Sequence, residues 1–134
     1  MPHFIVEYSA NISDGIDSAG LFEKLRDAAV ETGIFPLGGI RFRAVCCREY
    51  LVADGDPANA FVHMTAKIGH GRPLDVRRDA AGKLFKTLVD HLQSLFDSRP
   101  LAISFELTEL QPDLSFKQNN IHQRLKARRG ASRD

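Results

Sequence analysis

Residues 60–110 read AFVHMTAKIGHGRPLDVRRDAAGKLFKTLVDHLQSLFDSRPLAISFELTEL. Ala60 to Ile68 is an apolar run rich in strand formers. Gly69 to Pro73 (GHGRP) is a loop, and Asp75 follows as a candidate helix cap. Ala80, Leu84, Leu88, Leu92 and Phe96 then recur four apart, flanked by Phe85, Val89 and Leu95. That spacing predicts one helix ending near Arg99-Pro100. Leu101 to Leu110 alternates apolar and polar side chains and predicts a second strand. The segment is therefore a β-α-β unit.

The same order recurs upstream. His3 to Ser9 (HFIVEYS) predicts a strand, and Asn11 to Gly15 (NISDG) a turn. Asp17 or Ser18 caps a helix whose apolar stripe is Leu21, Phe22, Leu25, Ala28 and Ala29, and Gly33 ends it. Ile34 to Gly39 (IFPLGG) is a loop. Ile40 to Val52 (IRFRAVCCREYLV) predicts a long strand bent near its cysteines, and Asp54 to Ala58 (DGDPA) a turn. FIVEYSANI loosely echoes FVHMTAKI, so we read a duplicated unit. Each unit places its strands parallel with a right-handed crossover. Two units side by side give an α+β (α/β two-layer) fold: a four-stranded mixed sheet with two helices on one face. The other face is left bare, and covering it calls for self-association.

The length of 134 residues suits one domain, drawn here as 1–125, with 126–134 a basic, disordered tail. No period is legible from Gln111 onward. The cluster Arg124, Lys126, Arg128 and Arg129 reads as a solvated terminus rather than a nucleic-acid contact. A net charge of +1 supplies no field for nucleic acid or an anionic membrane. No apolar run reaches the roughly 20 residues of a membrane span, and no signal peptide is legible. Cys46 and Cys47 are adjacent, which makes no disulfide framework; both read as buried structural thiols in a cytoplasmic setting.

Few residues offer chemistry. If Met1 is trimmed, Pro2 carries a free secondary amine. Burial and nearby cations lower an amine's pKa, which suits a general base at neutral pH. The plainer reading is a proline that opens a strand. Arg41 and Arg43 share a strand face, and Arg72 lies in a glycine loop. Converging guanidiniums mark an anionic substrate, whereas single strand arginines usually face solvent. GHGR lacks the spacing and lysine of a phosphate loop. The five histidines, with His3, His63 and His91 near strands or helix, have no metal-ligand spacing.

The stretches MPHFIVEYS, TGIFPLGGIR, AFVHMT with KIG and GR, and LSFKQNN with a following His together resemble one family. They look like the 5-carboxymethyl-2-hydroxymuconate delta-isomerases of the tautomerase superfamily, and the resemblance runs from Met1 to about Leu125. It implies Met1 removal, Pro2 as catalytic acid/base, trimers, and no metal or organic cofactor. The implied reaction ketonises the dienol 5-carboxymethyl-2-hydroxymuconate, a multiply charged small carboxylate, in homoprotocatechuate (4-hydroxyphenylacetate) degradation. Arg41 and Arg72 match the family's substrate-binding arginines, with Phe116, Asn119 and Asn120 as further pocket residues. Two alternatives stay open. One is a tautomerase for a different enol acid; the other is a non-catalytic oligomeric binding protein of the same fold.

Overall fold

Strict alternation sets the layers. In β1 (His3–Ser9) the even residues Phe4 and Val6 are fully buried, and in β3 (Ala60–Ile68) so are Val62, Met64, Ala66 and Ile68. The structure, a computed structural model, describes residues 1–133. β2 (Arg41–Cys47) runs parallel to β1, and β4 (Leu101–Glu109) parallel to β3. β1 and β3 pair antiparallel, which gives a mixed sheet in the order β2-β1-β3-β4. These are the expected tandem units. Helices α1 (Ser18–Glu31) and α2 (Leu74–His91) supply Leu21, Leu25, Ala80, Leu84 and Leu88 to one core on one sheet face. Phe4 anchors that core, stacked on Phe42 at 4.7 Å and edge-on to Phe35 at 5.6 Å.

The opposite sheet face is open, and it is less apolar than expected. By register it carries Ile5, Val45 and Phe61 among His3, Glu7, Arg43, His63, Thr65, Ser104 and Glu106. His63 Nδ1 and Ser104 Oγ lie 2.6 Å apart there.

Five local expectations need correction. β2 stops at Cys47 instead of reaching Val52, because its sole partner β1 ends at Ser9, opposite Cys47. Being at the end of an edge strand, Cys46 is exposed and Cys47 only half-buried; both are free thiols. The long helix is broken at Leu92 (φ −91°, ψ 4°), after which α3 (Gln93–Ser98) begins. Pro73, not Asp75, holds the N-cap position of α2; Asp75 lies in the first turn, where its charge suits the helix dipole. The stretch read as an irregular tail contains a helix, α4 (Ile121–Arg133), while Asp134 lies outside the described residues. Asn119 Oδ1 accepts from Ile121 N at 2.6 Å and starts that helix, and it leans on the turn Leu37–Gly39.

Ser9 is the one buried polar residue among those described, and it ties β1 to β3. Its Oγ donates to Asn11 Oδ1 at 2.7 Å and accepts from Phe61 N at 3.0 Å. Asn11 Nδ2 in turn donates to Asn59 O at 2.8 Å. Ser9→Ala strands the Phe61 N–H, so it should cost ~1–3 kcal/mol. Urea denaturation reads this as a lower midpoint at unchanged slope; an unmoved midpoint would remove Ser9 from the stability account.

Candidate active site

Because β1 opposes β3, the starts of β1 and β2 meet the ends of β3 and β4 at one edge of the sheet. This brings Pro2, Arg41, the loop Gly69–Arg72 and the segment Leu110–Asn120 together. Three adjoining clefts of about 510, 560 and 470 Å³ open there, and Met1 lines all three. Met1 thus sits at their junction. Pro2 lies buried directly beneath it and borders the third cleft.

Arg41 is half-buried at the first position of β2, in register with His3. Its Nη2 donates to Met1 O at 3.1 Å, while its buried Nε has no partner. Arg72 is held more firmly. Its Nη2 donates to Ile34 O at 2.7 Å, its Nη1 to Gly69 O at 3.4 Å, and its guanidinium lies 5.6 Å from the Phe35 ring centroid. Arg43 does not converge with them. It is exposed, with Nη1 3.2 Å from His3 Nδ1, and lines none of the three clefts. Two residues along a strand is a step of about 6.6 Å, enough to carry it out of reach.

Phe116 lines the first cleft but is 90% exposed, so it stands at the rim. Asn119 borders the second cleft, and its Nδ2 donates to Gly38 O at 3.0 Å. Its role in the fold is to fasten α4 to the Leu37–Gly39 turn. Asn120 is exposed at the margin of the same cleft.

The sequence reading missed Lys117, His70 and Glu109. Lys117 and His70 each line both the Arg41 cleft and the Arg72 cleft. Lys117 stood in plain view within SFKQNN, but a lysine in an aperiodic segment carries no directional signal. Glu109 closes β4 and braces the glycine loop. It accepts from Gly71 N at 2.9 Å, where Gly71 has φ +116°. Arg77 Nη1 and His70 Nδ1 each lie 3.4 Å from its carboxylate, and Arg77 Nε donates to Arg72 O at 2.9 Å. The Gly71 N–H, then Arg77 and His70, hold the Glu109 carboxyl below its ordinary range.

The electrostatics of this end are cationic. Burial lowers the pKa of the N-terminal amine from its ordinary 8.0, and the charges of Lys117, Arg41 and Arg72 lower it further. Burial likewise lowers His3, with Arg41 and Arg43 adding to the effect. Such a site favours a neutral amine and a polyanionic guest.

The family model for 5-carboxymethyl-2-hydroxymuconate isomerase matches residues 2–125. The chain is 51% identical over 122 residues to the 5-carboxymethyl-2-hydroxymuconate Delta-isomerase of Escherichia coli, covering 91% of this chain and 97% of that protein. A crystal structure of a 5-carboxymethyl-2-hydroxymuconate isomerase from Deinococcus radiodurans R1 superposes with a TM-score of 0.87 at 38% identity, covering 92% of this chain and 93% of that one. At the level of fold alone, a fused 4-OT symmetric trimer matches with a TM-score of 0.66 at 22% identity, over 87% of this chain and 94% of that one.

Proposed function

Because the chain belongs to the 5-carboxymethyl-2-hydroxymuconate isomerase family and is an isomerase, we propose that it ketonises 5-carboxymethyl-2-hydroxymuconate, with Pro2 as acid/base after loss of Met1. The observation that carries this reading is the cationic, partly desolvated surrounding of the amino terminus. Met1 removal would free the Pro2 nitrogen and join the three clefts that Met1 now divides. It would also release Arg41 Nη2 from the Met1 carbonyl.

The reaction is an isomerisation in which one proton leaves an oxygen and returns to a carbon. Neutral Pro2 nitrogen takes the proton of the 2-hydroxyl, the electron pair moves out along the diene, and the prolinium protonates a carbon further along. The intermediate dienolate carries one more negative charge than the substrate. Arg41, with donors freed by Met1 loss, binds the 2-oxo-acid end where that charge grows. Arg72, already committed to Ile34 and Gly69, supplies a fixed positive charge to a remote carboxylate. Fixed cations aimed at developing charge are where most of such rate enhancement arises. Phe116 and the pair Asn119 and Asn120 form the rim.

The assembly and setting belong to the same reading. A trimer would cover the open sheet face and the unpaired outer edges of β2 and β4. Free Cys46 and Cys47 suit a reducing cytoplasm, and the described residues contain no helix long and apolar enough to cross a membrane. The place in homoprotocatechuate breakdown follows from the substrate.

The test combines intact mass with an assay on the dienol. The expected result is a chain lighter by one methionine that consumes the dienol's absorbance. A trimmed chain inactive on this dienol but active on another enol acid would redirect the substrate. The acidic limb of kcat/KM should fall below the pKa of a solvent-exposed prolyl amine, because the base is active only when deprotonated and the burial and cations that lower the Met1 amine lie beside Pro2 as well. Activity is then retained at neutral pH and lost as pH drops through the amine's pKa. An acidic limb no lower than that of a prolyl amine free in solution would count against Pro2 as a base tuned by this site.

A further inference from the structure

The substrate proposed above has three carboxylates: two on the muconate chain and one on the carboxymethyl arm. Arg41 and Arg72 account for two of them. We propose that Lys117 is the anchor for the third, making the site selective for tricarboxylate over dicarboxylate enol acids; this rests on the isomerase reading. Lys117 borders both the cleft that holds Arg41 and the cleft that holds Pro2 and Arg72. The Leu110–Gln118 segment thus brings this lysine to the border of both guanidinium-bearing clefts. No carboxylate lies within ion-pairing distance of Lys117 among the described residues, whereas Lys83 and Lys86 on α2 are both paired. The nearby carboxylate, Glu109, is turned instead to Gly71, Arg77 and His70. An ammonium on a flexible stem also suits the arm. A point charge with rotatable donors tolerates a swinging carboxymethyl group better than a rigid fork does.

The test measures kcat/KM of wild type, Lys117→Gln and Lys117→Arg on 5-carboxymethyl-2-hydroxymuconate and on 2-hydroxymuconate, which lacks the arm. Removing a cation near the Pro2 amine affects both substrates alike, so the ratio of the two isolates the third carboxylate. The tricarboxylate-to-dicarboxylate ratio should fall about tenfold in Lys117→Gln, the low end for a charge-assisted hydrogen bond because Lys117 keeps contact with solvent. Lys117→Arg should recover most of it. Added salt should shrink the wild-type ratio toward that of Lys117→Gln. An unchanged ratio in Lys117→Gln, with wild type active, overturns the anchor while leaving the isomerase reading in place. A wild type, trimmed of Met1, that turns over neither compound overturns both.

Discussion

A chain carrying a non-removable extension ahead of Pro2 should lose isomerase activity by about 10²–10⁴ in kcat/KM, the usual contribution of a positioned general base. Three effects act together. An acylated proline nitrogen is an amide with no basic lone pair. The added residue keeps a carbonyl on Arg41 Nη2, as Met1 O does at 3.1 Å. Its side chain also holds the junction of the three clefts, where Met1 now sits. A protease-cleavable version of the extension separates blockage from misfolding, because cleavage should restore turnover. Pro2→Ala, which leaves a primary amine, should lose only part of the activity. Full turnover by an extended chain whose intact mass shows no trimming would end the case for Pro2 as base.

The fold was legible because burial is periodic. Phe4 and Val6 in β1, and Val62, Met64, Ala66 and Ile68 in β3, declare a two-residue period, and Leu21, Leu25, Leu84 and Leu88 a helical one. Those patterns fix two β-α-β units, and handedness then fixes most of the topology. What failed were features decided by a neighbour. The end of β2 depends on where β1 stops, and nothing in REYLV announces that. α4 has few apolar residues and owes its place to Asn119 and the Leu37–Gly39 turn, a contact across more than 80 residues of chain. Helices of such composition gain most of their stability from docking rather than propensity.

The site was legible only in part, for a related reason. Pro2, Arg41 and Arg72 were singled out by residue type and by the family resemblance, and topology brings all three to one sheet end. Periodicity made Arg43 an equal rival of Arg41, since both share a face. It could not tell that the start of the strand, not its middle, borders the cleft. Lys117 and Glu109 needed the three-dimensional fold: one sits in an aperiodic segment, the other ends a strand that looked purely structural.

Arg41→Ala is expected to lower kcat/KM by about 10²–10³, corresponding to ~2.7–4 kcal/mol for a donor aimed at a developing oxyanion. The loss should fall mainly on kcat, because the dienolate's extra charge exists only after the proton has left the 2-hydroxyl. Two features make Arg41 the more sensitive arginine. Its buried Nε has no partner, and its Nη2 is held solely by a residue that trimming removes. Once Met1 is gone, no hydrogen bond among the described residues ties the Arg41 guanidinium to the rest of the fold, so the folded chain should tolerate the change, with thermal unfolding little altered. Arg72→Ala differs, since it also strands the Ile34 and Gly69 carbonyls and should lower stability together with activity. Arg41→Lys should recover only part of the loss, because a point charge cannot make the bidentate contact. Removing the Arg41 charge also weakens the field that lowers the amine's pKa, so the acidic limb should move to higher pH. If Arg41→Ala isomerises the dienol as fast as wild type, with its acidic limb unmoved, Arg41 neither binds the dienolate nor tunes the base.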